Sequence, residues 1–263
     1  MLKINLTDKV IIVSGASGGI GSELSEELVA NGATVIMTDV SDKGFAMAEE
    51  FTAKGPGKAI FIPADVSSDE DCKKVVETAA AQTGSIYAVI NNCGYNVDLS
   101  LRGKIWQYQP DGWGKSIHYS LDGGFFLTKY AYPYMKEKGG RIVMVGSVTG
   151  FRMGLRNQAA YNCVKAGIHN LTRNMAIEFA PDNITVNCYI PGTTWHKRFR
   201  DQALFKTQGA EKMLSHVPAK RENTPEDMAA TALFFLSEEA HNITGLLANV
   251  DNGWSVGYCR SEN

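Results

Sequence analysis

Seven short apolar runs, separated by longer segments with helical spacing, constrain this chain more than any other feature. The runs are "KVIIVSG" (9–15), "TVIMTD" (34–39), "AIFIPADV" (59–66), "YAVINNCG" (87–94), "RIVMVGS" (141–147), "ITVNCYIPG" (184–192) and "LLANVDNG" (246–253). Several are nearly continuous Val, Ile and Leu, the pattern of strands buried on both faces. Between them Ile20, Leu24 and Leu28 recur at i, i+4, i+8, and Val75, Val76 and Ala79 share one face of 69–83. Longer helical patterns cover 113–138 and 158–180, and Thr224-Pro225 has the form of a cap and first helical turn. Such alternation predicts an α/β fold: a doubly wound sheet of about seven mainly parallel strands with helices on both faces. No linker, repeat or low-complexity tract interrupts it, so a single domain over 1–263 is expected. Only 193–222 breaks the rhythm, and a long insertion of that kind reads as a lid over a substrate site, the alternative being a surface excursion with two short helices.

Composition narrows the function classes. The chain is 44% hydrophobic and 21% charged with net charge -2 and no basic run, which points away from nucleic-acid partners. Five cysteines, odd in number and without CxxC pairing, argue against a disulfide framework or a metal centre and for a reducing compartment. The opening "MLKINLTDKVIIVSG" has only a short apolar run ended by serine and glycine, so neither a secretory signal nor a membrane span is expected, and the cytoplasm is the expected location.

Chemistry gathers at the carboxyl ends of the strands, where open parallel sheets bind ligands. "VSGASGGIG" (13–21) follows the first strand and opens the first helix, with Gly15, Gly19 and Gly21 in a G-x-x-x-G-x-G arrangement. Glycines let backbone approach a pyrophosphate, and the helix N-terminus supplies N–H groups and a positive dipole end. Asp39 ends the second strand, placed to accept hydrogen bonds from an adenosine ribose. A 2′-phosphate would meet like charge there, and no Arg or Lys precedes Lys43, so NAD(H) is favoured over NADP(H). Asp65 and Val66 end the third run, and "NNCG" (91–94) the fourth.

"YNCVKAG" (161–167) stacks Tyr161 and Lys165 one turn apart on one helix face. Hydride transfer at a carbinol carbon needs a proton moved to or from the oxygen, which a tyrosine can do if its pKa falls from about 10. A neighbouring ammonium favours tyrosinate, and a hydroxyl such as Ser147, at the end of a strand, can stabilise charge developing on the substrate oxygen.

"SGASGGIG", "NNCG", Ser147, "YNCVKAG" and "PG" (191–192), in this order and spacing, closely resemble the short-chain dehydrogenase/reductase family, a Rossmann-fold family of oxidoreductases, from about residue 7 to 254. The resemblance implies that Tyr161 is the general acid/base, that Lys165 also binds the nicotinamide ribose, and that Ser147 positions the carbonyl. It implies cofactor contacts at Gly15, Ser17, Gly19, Ile20, Gly21, Asp39, Asp65, Val66, Asn92, Gly94, Pro191 and Thr194. A homotetramer with the 113–138 and 158–180 helices at an interface is implied as well.

Three positions depart from the family pattern. Ser120 in "HYSLDGG" stands where relatives have an asparagine at a helix kink that supports a water relay from the lysine, so Ser120 joins the catalytic candidates. In "PGTTWH", Thr194 takes an aliphatic place and His196 a threonine place near the nicotinamide amide; His196 either reaches the substrate or is an exposed loop histidine. Cys93 replaces an alanine and reads as a small buried hydrophobe.

For the substrate, an alcohol or ketone, Arg152 and Arg156 after Ser147 suit an anionic group, as do Lys197, Arg198 and Arg200 in the lid; the alternative is that the arginines are solvated or pair across a subunit interface. The aromatic Tyr95, Trp106, Tyr108, Trp195 and Phe199 suit a ring. A polyol, a hydroxy acid, a cyclic ketone and a 3-oxoacyl thioester all remain open. The expected activity is NAD(H)-dependent interconversion of a secondary alcohol and a ketone. One rival is an NADPH-dependent 3-oxoacyl reductase, against which Asp39 argues; another is a nucleotide-sensing regulator that has lost catalysis.

Overall fold

The computed structural model describes residues 2–94, 102–196, 200, 212 and 214–257. Each of the seven apolar runs contains a strand: β1 (Val10–Ser14), β2 (Thr34–Asp39), β3 (Lys58–Pro63), β4 (Ala88–Asn91), β5 (Gly140–Val145), β6 (Ile184–Pro191) and β7 (Leu247–Val250). They form one sheet in the order β3-β2-β1-β4-β5-β6-β7 with every pair parallel. The helices are α1 (Gly19–Ala30), α2 (Lys43–Lys54), α3 (Asp69–Thr83), α4 (Pro110–Ile117), α5 (Gly123–Ala131), α6 (Ala159–Phe179) and α7 (Pro225–Leu236). None of the described helices is long and apolar enough to cross a membrane.

Two hydrophobic clusters explain why the strands read as continuous apolar runs. Alternate β1 residues serve opposite faces: Ile11 and Val13 pack with Leu24 and Leu28 of α1 and Phe235 of α7, while Val10 and Ile12 pack with Val75 and Val76 of α3 and Leu127 of α5. Burying one such side chain is worth about 1.5–3 kcal/mol, and here both faces of every central strand are used. The chain order reverses between β1 and β4, which opens a crevice above their carboxyl ends.

The continuous 113–138 helix expected from periodicity is broken. α4 runs into a π-helical turn at His118–Asp122, then α5, then a 3₁₀ turn at Tyr132–Tyr134. Pro133 lacks the N–H that a longer helix would need. Gly123 lies so close to the loop between β3 and α3 that a Cβ there would fall 2.8 Å from the Val66 side chain. The cap at α7 is as expected, with the Asp227 carboxylate accepting the Thr224 N–H at 2.9 Å. In the 193–222 segment, residues 193–196, 200, 212 and 214–222 are described; the candidates Lys197, Arg198 and Phe199, and likewise Tyr95, lie outside the described residues.

Candidate active site

The glycine turn is built for close backbone approach. Gly15 has φ +63°, and its carbonyl accepts the Gly18 N–H at 3.2 Å and the Asn92 Nδ2–H at 3.1 Å. A Cβ on Gly21 would sit 2.1 Å from that same carbonyl, so only glycine fits. Gly18 caps α1 without a side-chain bond, and no acidic residue occupies the first turn. The N-terminal N–H groups and the positive dipole end are therefore offered to an outside anion, and the turn fits a dinucleotide pyrophosphate.

Two side chains fasten this turn to its neighbours. Asp39 accepts the Ser17 N–H at 3.0 Å through one oxygen and the Ser41 N–H at 3.1 Å through the other. Asn92 donates to the Ser14 carbonyl as well as to that of Gly15, and the Cys93 N–H donates to the Ser14 hydroxyl. The ends of β1, β2 and β4 are thus joined at the crevice. Asp65 accepts from the Ser67 N–H and hydroxyl, and Val66 is buried in the core. Ile20, half-buried, packs against the core beneath α1.

On the other side of the crevice stand β5 and α6. Ser147 lies two residues beyond β5, buried, with its Oγ 3.0 Å from Thr149 Oγ1 and 3.3 Å from the Thr149 N–H. Lys165 is only 3% exposed; its Nζ donates to the Val145 carbonyl at 2.8 Å and lies 5.8 Å from the centroid of the half-buried Tyr161 ring. Burial pushes the Lys165 ammonium down to about 8, because a charge out of water favours its neutral form. Gly94, at φ +134°, leaves room where a Cβ would meet Ser120 Oγ at 3.1 Å and Lys165 Nζ at 3.4 Å. Ser120, in the π-helical turn, is therefore brought to the lysine, with Cys93 close enough to interact with its charge. Burial keeps the Cys93 thiol protonated, pushed up to about 11.

The segment after β6 closes the crevice. The Pro191 carbonyl accepts the Val148 N–H at 3.2 Å, tying β6 to the Ser147 loop. Thr194 is buried and bridges to Asn223. His196 lies over the glycine turn: a Cβ on Gly19 would fall 2.5 Å from its ring carbon Cγ, so it is not an exposed loop histidine.

The anion-binding candidates are arranged differently from one another. Arg152 and Arg156 are exposed, with the Arg152 guanidinium 5.1 Å above the Phe151 ring. Arg200 is taken up by Glu222 and stacks on Trp195 at 5.5 Å. Trp195 is buried and, with His216, Arg221 and Trp254, lines a cavity of about 200 Å³. Trp106 is exposed, on a 3₁₀ turn.

Two neighbours of Ser147 escape sequence reasoning, Thr149 and the buried His169. The available signal for His169 is its place in the series Tyr161, Lys165, His169 at i, i+4, i+8 on one face of α6. Among the described residues no cluster of His, Cys, Asp and Glu could hold a metal ion.

Known proteins share this architecture. A family model described as enoyl-(acyl carrier protein) reductase matches residues 15–255. A trans-4-hydroxycyclohexanecarboxylate dehydrogenase of Sinomonas cyclohexanicum is 31% identical over 258 residues, covering 96% of this chain and 95% of the relative. A 3-oxoacyl-[acyl-carrier-protein] reductase of Vibrio harveyi is 35% identical over 254 residues, covering 95% and 98%. The structure of a short-chain type dehydrogenase/reductase from Mycobacterium ulcerans superposes with a TM-score of 0.88 at 25% identity, covering 97% of this chain and 92% of that one. The chain belongs to the short-chain dehydrogenase/reductase family, and is an alcohol dehydrogenase-type oxidoreductase that works with a nicotinamide cofactor.

Proposed function

We propose that the protein is an NAD(H)-dependent oxidoreductase that interconverts a secondary alcohol and a ketone, with Tyr161 as acid/base, Lys165 as its electrostatic partner and Ser147 as the hydroxyl that binds the substrate oxygen. The observation that carries this reading is the buried Lys165 ammonium, anchored on Val145 and facing the Tyr161 ring at 5.8 Å. A cation in that place lowers the free energy of tyrosinate relative to phenol, which is what proton removal from an alcohol needs.

The nicotinamide, when bound, takes up or delivers the hydride. The glycine turn from Gly15 to Gly21 would hold its pyrophosphate, with Ser17 and Ile20 at the same turn. Asp39 would accept from the adenosine ribose hydroxyls, Asp65 and Val66 would flank the adenine, and Asn92, Gly94 and Lys165 would follow the ribose of the reactive end. Pro191, Thr194 and His196 would close over the nicotinamide side. Asp39 supports NAD(H), because a 2′-phosphate beside its carboxylate would meet like charge. Ser147, with two hydrogen bonds from Thr149 available to its lone pairs, can direct its own proton at the substrate oxygen.

Exposed Arg152 and Arg156 at the site's rim, together with the activity named for the Sinomonas relative, favour a hydroxylated ring or chain bearing a carboxylate. A homotetramer in the cytoplasm completes the reading. The test is a panel that includes trans-4-hydroxycyclohexanecarboxylate, simple cyclic alcohols and an acetoacetyl thioester, each with NAD(H) and NADP(H), read by cofactor absorbance. Oxidation of a secondary alcohol with NAD is expected. In Tyr161→Phe the rate should fall by at least about a hundredfold with NADH affinity unchanged. Reduction of the thioester alone, and only with NADPH, would replace this reading with a 3-oxoacyl reductase.

A further inference from the structure

We infer that His169 is a positioning residue for the reaction: a neutral imidazole under the Ser147 loop, accepting the Ser147 N–H through Nε2 and so fixing where the Ser147 hydroxyl points. This rests on Ser147 being the hydroxyl that meets the substrate oxygen.

The geometry is specific. His169 is 3% exposed, one turn beyond Lys165 on α6, and Ser147 N lies 3.4 Å from its Nε2. A backbone N–H can only donate, so Nε2 must carry the lone pair and the ring proton must sit on Nδ1. Nδ1 is buried without a hydrogen bond of good geometry, although the Gly150 backbone draws on the ring, so the Ser147 contact is the best-formed polar bond that orients it.

Two glycines admit this arrangement. A Cβ on Gly146 would fall 2.5 Å from Nε2 itself, so any other residue there would evict the ring. Gly150, at φ +78°, lets the far end of the loop rest on α6, where a Cβ would fall 2.4 Å from the Asn162 carbonyl. The Phe151 ring meets the imidazole edge to face at 5.6 Å. The loop carrying Ser147 is thus seated on the same helix that carries Tyr161 and Lys165, and His169 is its polar fastening.

The ring stays neutral for a physical reason. Burial, then the Lys165 charge, push His169 down to about 4, opposed in part by a hydrogen bond to the Gly150 backbone, with Arg173 adding the least. Lys165 and Arg173 of α6 are the charged groups that act on it. The Cys188 thiol from β6 closes the other side of Gly146 and is itself pushed up to about 12 by burial, so it brings no negative charge. A proton on Nε2 would both abolish the acceptor and set a second cation beside Lys165.

Three measurements test this, on the full-length protein and its variants His169→Leu, which has no acceptor, and His169→Gln, which keeps one. In long-range ¹H–¹⁵N spectra, the imidazole signals lost in His169→Gln identify His169 among the five histidines. They should report a neutral ring protonated on Nδ1 that persists down to about pH 5; an Nε2–H ring, or titration near the usual 6.5, would overturn the inference. Crystal structures of both variants with NADH should show Ser147 Oγ displaced from Thr149 in His169→Leu and retained in His169→Gln. Retention in both would also overturn it.

The third readout is kinetic, on the alcohol that the wild type oxidises fastest with NAD. kcat should fall about tenfold in His169→Leu, the worth of one ordinary hydrogen bond, and recover in His169→Gln, with the Kd for NADH unmoved in both. Equal losses in both variants, or a loss of NADH affinity, would mean a merely structural role. If His169→Leu does not fold, the spectra and His169→Gln still decide. If the wild type oxidises no alcohol, the reading of the activity fails while the spectra and crystal structures still judge this one.

Discussion

Lys165 carries its charge where water cannot follow it. Its Nζ donates to the Val145 carbonyl, and the nearby Cys93 and Cys188 thiols are held protonated by burial. Such a group opposes folding: its pKa is about 8 in the folded chain against 10.5 ordinarily, a disadvantage of about 3 kcal/mol for the charged form at neutral pH. Lys165→Met should therefore raise the melting temperature at pH 7 while abolishing turnover. With about 1 kcal/mol lost at the Val145 bond, the net gain corresponds to a rise of about 5 °C. The sign with pH follows. Between 8 and 10.5 the folded lysine has released a proton that the unfolded chain still binds, so wild-type stability climbs with pH across that window. The advantage of the Met variant should shrink over the same range, as thermal melts of the two proteins at several pH values would reveal. Tyr161, Lys165 and Ser147 are legible in sequence because the proposed reaction demands their residue types at fixed spacing. His169 and Thr149 are not, because their importance arises only when the β5 loop lands on α6 and Gly146 leaves space for a ring.

At the scale of elements, the proposed preference for NAD(H) rests on the joint between β2 and the opening of α1. Asp39 both ends the strand and holds the Ser17 N–H of the glycine turn, so the residue proposed to select the cofactor is structural as well. Replacing it in Asp39→Ser together with Val40→Arg, at an adjacent position 72% exposed, removes the negative charge and supplies a partner for a 2′-phosphate. The ratio of NADPH to NADH affinity should rise by about tenfold, read by fluorescence titration. A small fall in melting temperature should accompany it, since serine reaches less far than the carboxylate it replaces. Strands of this kind are easy to read from sequence, because burial on both faces leaves an unbroken apolar run. The break in the helix between α4 and α5 is hard to read. A π-helical turn inserts a residue without disturbing the apolar period on either side, and its position at Ser120 matters only because Gly94 and Lys165 meet it there.

For the whole molecule, the sheet order follows from alternation and right-handed crossover of parallel units. Its outer surface carries Trp113 on α4, Phe125 on α5 and Ile177 on α6, which are 41%, 46% and 76% exposed. These exposed apolar side chains support the proposed tetramer, because large apolar residues at the surface favour burial against another subunit. A homotetramer predicts that light scattering after size-exclusion chromatography gives four times the chain mass, and that Ile177→Asp lowers it. A wild-type mass of one chain would remove the tetramer from the proposal. The 193–222 segment is where reading from sequence stops being useful. Its basic and aromatic residues are not equivalent: Arg200 is engaged by Glu222 and Trp195 is buried.

The fastening of the glycine turn by Asp39 and Asn92 has a consequence for association. Both side chains bond to the turn's own backbone, so the shape of the cradle is set by hydrogen bonds within the chain. Little chain entropy then has to be surrendered when a dinucleotide docks, and its affinity is governed by desolvation and charge rather than by the ordering of a loop. In the proposed cofactor site, exchange at this end of the crevice is then expected to proceed as rigid docking and release.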